Sequence, residues 1–216
     1  MHFDTLRQTM IDTQIRTWDV FDPEVLRILQ ELRREQFVPA HLQELAFADF
    51  EVPLGNGERM WTPKMEARVL QELEIQPHDH ILEVGTGSGY FTALLARMGA
   101  SVHTIDDRDD FVRAAEGRLQ MLGISNVQFH AADGSAGLPG ASPFDVIVLT
   151  GALPELPKAF LEQLKPGGRL LAILGQSPLT KVRRYQRALD GTPRSLDLFE
   201  TDIPPLRHAV SKKFQF

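Results

Sequence analysis

No cysteine occurs among the 216 residues of this chain. Disulfides, a thiolate nucleophile and any cysteine-ligated metal site are therefore excluded. No apolar run approaches the ~20 residues needed to span a bilayer. The opening Met1-His2-Phe3-Asp4-Thr5 lacks the basic-then-apolar pattern of an export signal. Positive charge is not in excess either. The formal net charge of −6 argues against a general nucleic-acid surface or an anionic-membrane surface. Internal repeats and low-complexity linkers are missing. A metal site is not expected: His78-Asp79-His80 has no evident third ligand and reads as a solvated turn. What is left is an ordinary globular composition, 43% hydrophobic and 24% charged, in a chain long enough to bury a substantial core. The expectation is a soluble, cytoplasmic protein of one domain.

The N-terminal third reads as helical. Leu6, Met10, Ile11, Ile15 and Trp18 recur at helical spacing over residues 5–18. A second helix is announced by Asp22 as cap, Pro23 in the first turn and Glu24 at the positive end. Phe50 to Asn56 reads as a short strand entering the Gly55-Asn56-Gly57 turn, and Thr62-Pro63 opens another helix. From Asp79 the pattern alternates between strand and helix, the sign of a parallel sheet with crossovers. Strands are expected at 81–84, 102–105, 127–130, 146–150 and 169–174, and helices near 90–98, 110–122 and 155–164. Pro166-Gly167-Gly168 is expected to be a tight turn. Two extended runs around Asp190-Gly191-Thr192-Pro193 predict an antiparallel addition, and the basic run Arg183-Arg184-Tyr185 with Arg187 is expected as an exposed strand face.

The first expected parallel strand runs into Gly85-Thr86-Gly87-Ser88-Gly89-Tyr90, with glycine at every second position and a helix at once behind. Glycine lets the backbone turn sharply and lets a ligand approach closely, while the helix aims its N-terminal N–H groups at that ligand. Asp106 follows Gly85 by 21 residues, at the end of the next apolar run, where nucleotide-type folds hold ribose hydroxyls. A dinucleotide fingerprint would require its third glycine at position 90, which is Tyr90. The G-x-G-x-G form, with Glu83 two residues ahead, instead resembles the first motif of S-adenosyl-L-methionine-dependent methyltransferases. Asp133-Gly134 follows the third strand, as an acceptor suited to an adenine amino group. Thr150-Gly151-Ala152 follows the fourth, with small residues that leave space. Both lie at carboxyl ends of strands, where open α/β sheets bind ligands. The cofactor-binding candidates are thus Glu83, Gly85, Thr86, Gly87, Ser88, Gly89, Tyr90, Asp106, Asp133, Gly134 and Thr150.

Beyond this core, Arg34-Glu35, Phe37-Val38-Pro39, Pro53-Leu54-Gly55-Asn56-Gly57 and Leu164-Lys165-Pro166-Gly167-Gly168-Arg169 resemble the protein-L-isoaspartate (D-aspartate) O-methyltransferase family. The resemblance implies an α/β class I methyltransferase fold, Rossmann-like, with a doubly wound, mainly parallel sheet of seven strands. It implies a helical cap over the cofactor at residues 1–62, a cofactor-binding core at 63–176, and antiparallel strands with a tail at 177–216. S-adenosyl-L-methionine is the implied cofactor, and the carboxylate of a damaged aspartyl residue in a protein or peptide is the implied acceptor. Such a carboxylate is ionised at pH 7, so no catalytic acid or base is nominated.

The chain departs from this family at one point. After the glycine turn the family usually reads Gly-Gln-Thr-Ile-Ser, then one residue and proline; here the sequence is Gly57-Glu58-Arg59-Met60-Trp61-Thr62-Pro63. Trp61 stands in the place of the acceptor-side serine, and Thr62 is the nearest hydroxyl. An indole N–H is larger and differently directed than a hydroxyl, so isoaspartyl peptides are expected to be methylated weakly or not at all. A methyltransferase of the same build with another acceptor, such as a small molecule, and a catalytically silent adenosylmethionine-binding protein are the alternatives.

Overall fold

The computed structural model describes residues 2–207; the end of the expected tail lies outside the described residues. Helix α1 (His2–Met10) passes directly into a π-helical turn over Ile11–Ile15 and a 3-10 turn over Arg16–Trp18, where one continuous helix was expected. The local cause is a file of threonines. Thr9, Thr13 and Thr17 donate their hydroxyls to the carbonyls of Thr5, Thr9 and Thr13, and such back-bonding loosens a helical ladder. Helix α2 (Pro23–Glu31) starts as its sequence demands, with Asp22 Oδ1 accepting from the N–H groups of Glu24 and Val25 at 2.8 and 3.1 Å. A 3-10 stretch at Ala40–Phe47 follows. Then comes the hairpin β1 (Val52–Gly55) and β2 (Glu58–Met60), whose second strand was not expected. Thr62 caps α3 (Pro63–Leu73), accepting from Met65 N–H at 3.4 Å.

The alternating half of the chain builds β3 (His80–Val84), α4 (Tyr90–Met98), β4 (Ser101–Asp106), α5 (Asp109–Met121), β5 (Val127–Ala131), β6 (Phe144–Leu153), α6 (Lys158–Glu162), β7 (Leu164–Gln176), β8 (Leu179–Arg187) and β9 (Pro193–Thr201). These strands form one sheet of seven in the order β5-β4-β3-β6-β7-β8-β9. β3 to β7 are mutually parallel, and β8 and β9 add antiparallel. The order reverses direction between β3 and β6, leaving a crevice beyond their carboxyl ends. One face of the sheet packs on the N-terminal helices and α3–α5, through Ile81, Val102, Val146 and Leu171. The other packs on α6, through Leu82, Ile147, Leu149 and Phe160.

Three expectations are corrected here. The helix expected over 155–164 shrinks to Lys158–Glu162, because Pro157 biases the residue before it away from helical backbone and Leu164 already pairs with Phe144 in the sheet. The expected turn at Pro166-Gly167-Gly168 is a bulge inside β7, where the register jumps from Phe144↔Leu164 to Val146↔Arg169. The basic run on β8 is also not a free face. Arg184 donates to the Glu72 carbonyl and the Glu74 carboxylate, Arg187 to the Leu164 carbonyl, and Arg183 to Asp197.

Candidate active site

At the switch point Val84 leads into the glycine turn, and three glycines carry positive φ: Gly85 (102°), Gly87 (50°) and Gly89 (80°). At Gly85 the reason is also spatial, since a Cβ there would lie 2.0 Å from Thr150 Oγ1. Thr150 uses that hydroxyl to donate towards the carbonyls of Val84 and Gly85, at 2.9 Å each, and so clamps the end of β6 to the turn. Asp106, at the end of β4, accepts from Gly87 N–H through Oδ2 (3.0 Å) and from Arg108 N–H through Oδ1 (2.9 Å). Burial raises its carboxyl above the ordinary range, against the pull of these N–H groups. Asp133 Oδ1 accepts from Ser135 N–H at 2.8 Å and shapes the loop after β5.

Gly85, Thr86, Gly87, Ser88, Asp106, Asp133, Gly134 and Thr150 line a single cavity, together with Trp61. Three candidates stand behind its wall. Glu83 is fully buried; its Oε2 accepts from the hydroxyls of Thr92 (2.5 Å) and Thr104 (2.7 Å). Thr104 in turn pairs with Thr86 of the turn at 2.7 Å. Glu83 Oε1 has no partner among the described residues, and desolvation pushes the carboxyl up to about 8. Gly89 is the left-handed entry to α4, where a Cβ would meet that of Ala115 at 2.7 Å. Tyr90 is buried against Phe37, with the Arg34 guanidinium 5.5 Å from its ring centroid.

The cavity wall around Trp61 is built from β2 and the start of α3. Trp61 is only 6% exposed, its ring against Phe91 at 5.2 Å between centroids. Its carbonyl accepts from Arg34, whose guanidinium also binds the Ala46 carbonyl at 2.7 Å and the Glu66 carboxylate at 2.9 Å. Burial lifts Glu66 to about 7 despite that partner. Thr62 faces an outer groove beside the cavity rather than the cavity itself.

Sequence reasoning missed the roof. Residues 203–207 return over the crevice: Ala152 N–H donates to the Pro204 carbonyl and Leu206 N–H to the Ala152 carbonyl, both at 2.9 Å. Arg207 lies 3.7 Å from the carboxylates of both Glu58 and Asp107. Ile203-Pro204-Pro205 carries no periodicity that would mark it as part of a site. Glu58, Arg59 and Asp107 were also passed over, although Glu58 adjoins Gly57 and Asp107 adjoins Asp106.

A cavity beside a glycine turn, at the switch point of such a sheet and with an acid closing the next strand, defines a class I S-adenosylmethionine-dependent methyltransferase. The family model for protein-L-isoaspartate(D-aspartate) O-methyltransferase matches residues 5–202, and the chain belongs to that family. Among similar relatives, the protein-L-isoaspartate O-methyltransferase of Roseiflexus castenholzii is 38% identical, over 95% of this chain and 94% of that one. Protein-L-isoaspartate O-methyltransferase 1 of an Anaeromyxobacter species is 40% identical, over 87% of this chain and 90% of its own length. A solved Plasmodium falciparum structure, described as a protein-L-isoaspartate O-methyltransferase in complex with S-adenosyl-L-homocysteine, superposes with a TM-score of 0.80 at 19% identity, covering 95% of this chain and 98% of that one. Among the described residues no helix is long and apolar enough to cross a membrane.

Proposed function

We propose that this chain transfers the methyl group of S-adenosylmethionine to the free carboxylate of isoaspartyl residues in damaged proteins or peptides. The observation that carries the reading is one cavity lined both by Asp106 and Asp133 and by Arg59, Met60 and Trp61. Its chemistry fits the cofactor. Among the described lining residues five are acids (Glu58, Glu66, Asp106, Asp107 and Asp133) against two arginines, a balance suited to a cationic sulfonium. When bound, the cofactor supplies an electrophilic methyl group. Asp106 would hold ribose hydroxyls and Asp133 the adenine amino group, while Gly85 and Gly87 leave bare main chain facing the ligand. Glu83, Gly89 and Tyr90 would act from behind, by holding the turn in shape.

The acceptor carboxylate is already ionised near pH 7, so the protein needs no base. Its work is to align the reacting groups and exclude water, and the Arg34 grip on the Trp61 main chain and the 203–207 roof serve that end. A different acceptor is the second reading, favoured by the indole of Trp61 in the cavity wall. A labelled-methyl transfer assay with an isoaspartyl peptide beside its aspartyl twin decides between them. Label on the isoaspartyl peptide alone is the expected result; label on neither peptide, with turnover on small carboxylates, would establish the second reading.

A further inference from the structure

The acids that suit a sulfonium outnumber the basic residues of the cavity, and an acceptor carboxylate entering it needs a cation to receive it. The two lining arginines are placed differently. Arg207 is drawn between Glu58 and Asp107. Arg59, the next residue along β2 from Glu58, lines both the cavity and the outer groove, where Trp18, Thr62 and Met65 form the wall. Lys64 borders only that outer groove and is committed to Asp49 at 2.6 Å. Arg59 is 54% exposed, and its hydrogen bond among the described residues is from Nη1 to Glu51 Oε2 at 3.1 Å across the β1–β2 hairpin. An exposed pair of this kind is weak and readily exchanged, and a guanidinium keeps further donors in a fork that matches a carboxylate.

We infer that Arg59 is the residue that binds the acceptor carboxylate, exchanging Glu51 for the substrate as it enters between groove and cavity. This rests on the reading of the chain as an isoaspartyl methyltransferase. It also accounts for the local sequence: the position where a serine hydroxyl is expected is taken by Trp61, turned inward against Phe91, and a guanidinium stands two residues earlier on β2. Glu51 then acts as a built-in competitor that holds Arg59 in place between turnovers.

The test is steady-state kinetics on the full chain with an isoaspartyl peptide, beside calorimetry with S-adenosylhomocysteine. Arg59→Gln should raise KM for the peptide roughly 10- to 100-fold, the scale of a lost charge-assisted hydrogen bond, with kcat and S-adenosylhomocysteine affinity nearly unchanged. Arg59→Lys should recover part of the loss. Glu51→Gln should lower KM, a direction that no loss of structure would produce. If the natural chain turns over the peptide but KM stays within about twofold in Arg59→Gln and does not fall in Glu51→Gln, the assignment of Arg59 is overturned while the isoaspartyl reading stands. If the natural chain binds S-adenosylhomocysteine yet leaves the peptide unmethylated, the isoaspartyl reading itself falls, and this inference with it.

Discussion

Glu83 is a carboxyl group buried with one oxygen satisfied and the other not, and its proton has a thermodynamic cost attached. Its value of about 8 in the fold exceeds the ordinary 4.5. Between those two pH values the folded chain keeps a proton that the unfolded chain has lost, so stability falls as pH rises through the window. Glu66 acts in the same direction up to about 7. Over the full window the Glu83 contribution is on the order of several kcal/mol. Glu83→Gln should therefore match the natural chain in denaturant midpoint at pH 5 and surpass it at pH 9. Parallel midpoint-versus-pH curves for the two proteins would show that the proton is not held there. From sequence, Glu83 reads as a candidate for touching the ligand. Its two threonine partners, 9 and 21 residues away, are what give it a place behind the turn instead.

Between elements the decisive contact is Arg34. It ties the Ala40–Phe47 stretch, the β2–α3 junction and α3 to one guanidinium, through partners 12 to 32 residues distant. No periodicity announces such a node; what could be read was only that Arg34-Glu35 belongs to a family pattern. Removing the arginine strands the buried Glu66 carboxyl, and breaking a buried pair from one side costs about 3–5 kcal/mol. Arg34→Gln should lose that much in urea unfolding, and faster amide exchange should be concentrated at residues 46–66. A loss spread evenly over the sheet would contradict the assignment of Arg34 as a local node. By contrast, the caps of α2 and α3 were legible because Asp22-Pro23 and Thr62-Pro63 act on their immediate neighbours. The α1 helix was misread beyond Met10 because apolar spacing does not register what a file of threonine hydroxyls does to the ladder.

At the scale of the whole molecule, the parallel core was legible from its alternation of strand and helix, since a right-handed crossover leaves few arrangements open. The cavity floor was legible with it, because the glycine turn follows β3, Asp106 ends β4 and Asp133 follows β5. The N-terminal part of its cover was implied by the family resemblance; residues 203–207, which complete the roof, were not. Ligand binding should show the same division. S-adenosylhomocysteine should slow amide exchange in the glycine turn and also before residue 60; protection confined to residues 81–134 would mean that the N-terminal helices do not cover the ligand.

That cover has a consequence for the protein's synthesis. Every strand of the parallel core, Glu66 and the glycine turn have been made before residues 203–207 exist, and domains begin to fold while the chain is still emerging. The sheet can thus form around an open crevice, and the roof is laid only when Pro204 and Leu206 reach Ala152. In a growing chain the floor of the site is thus made before its roof, and the site closes with a segment that follows every strand of the sheet.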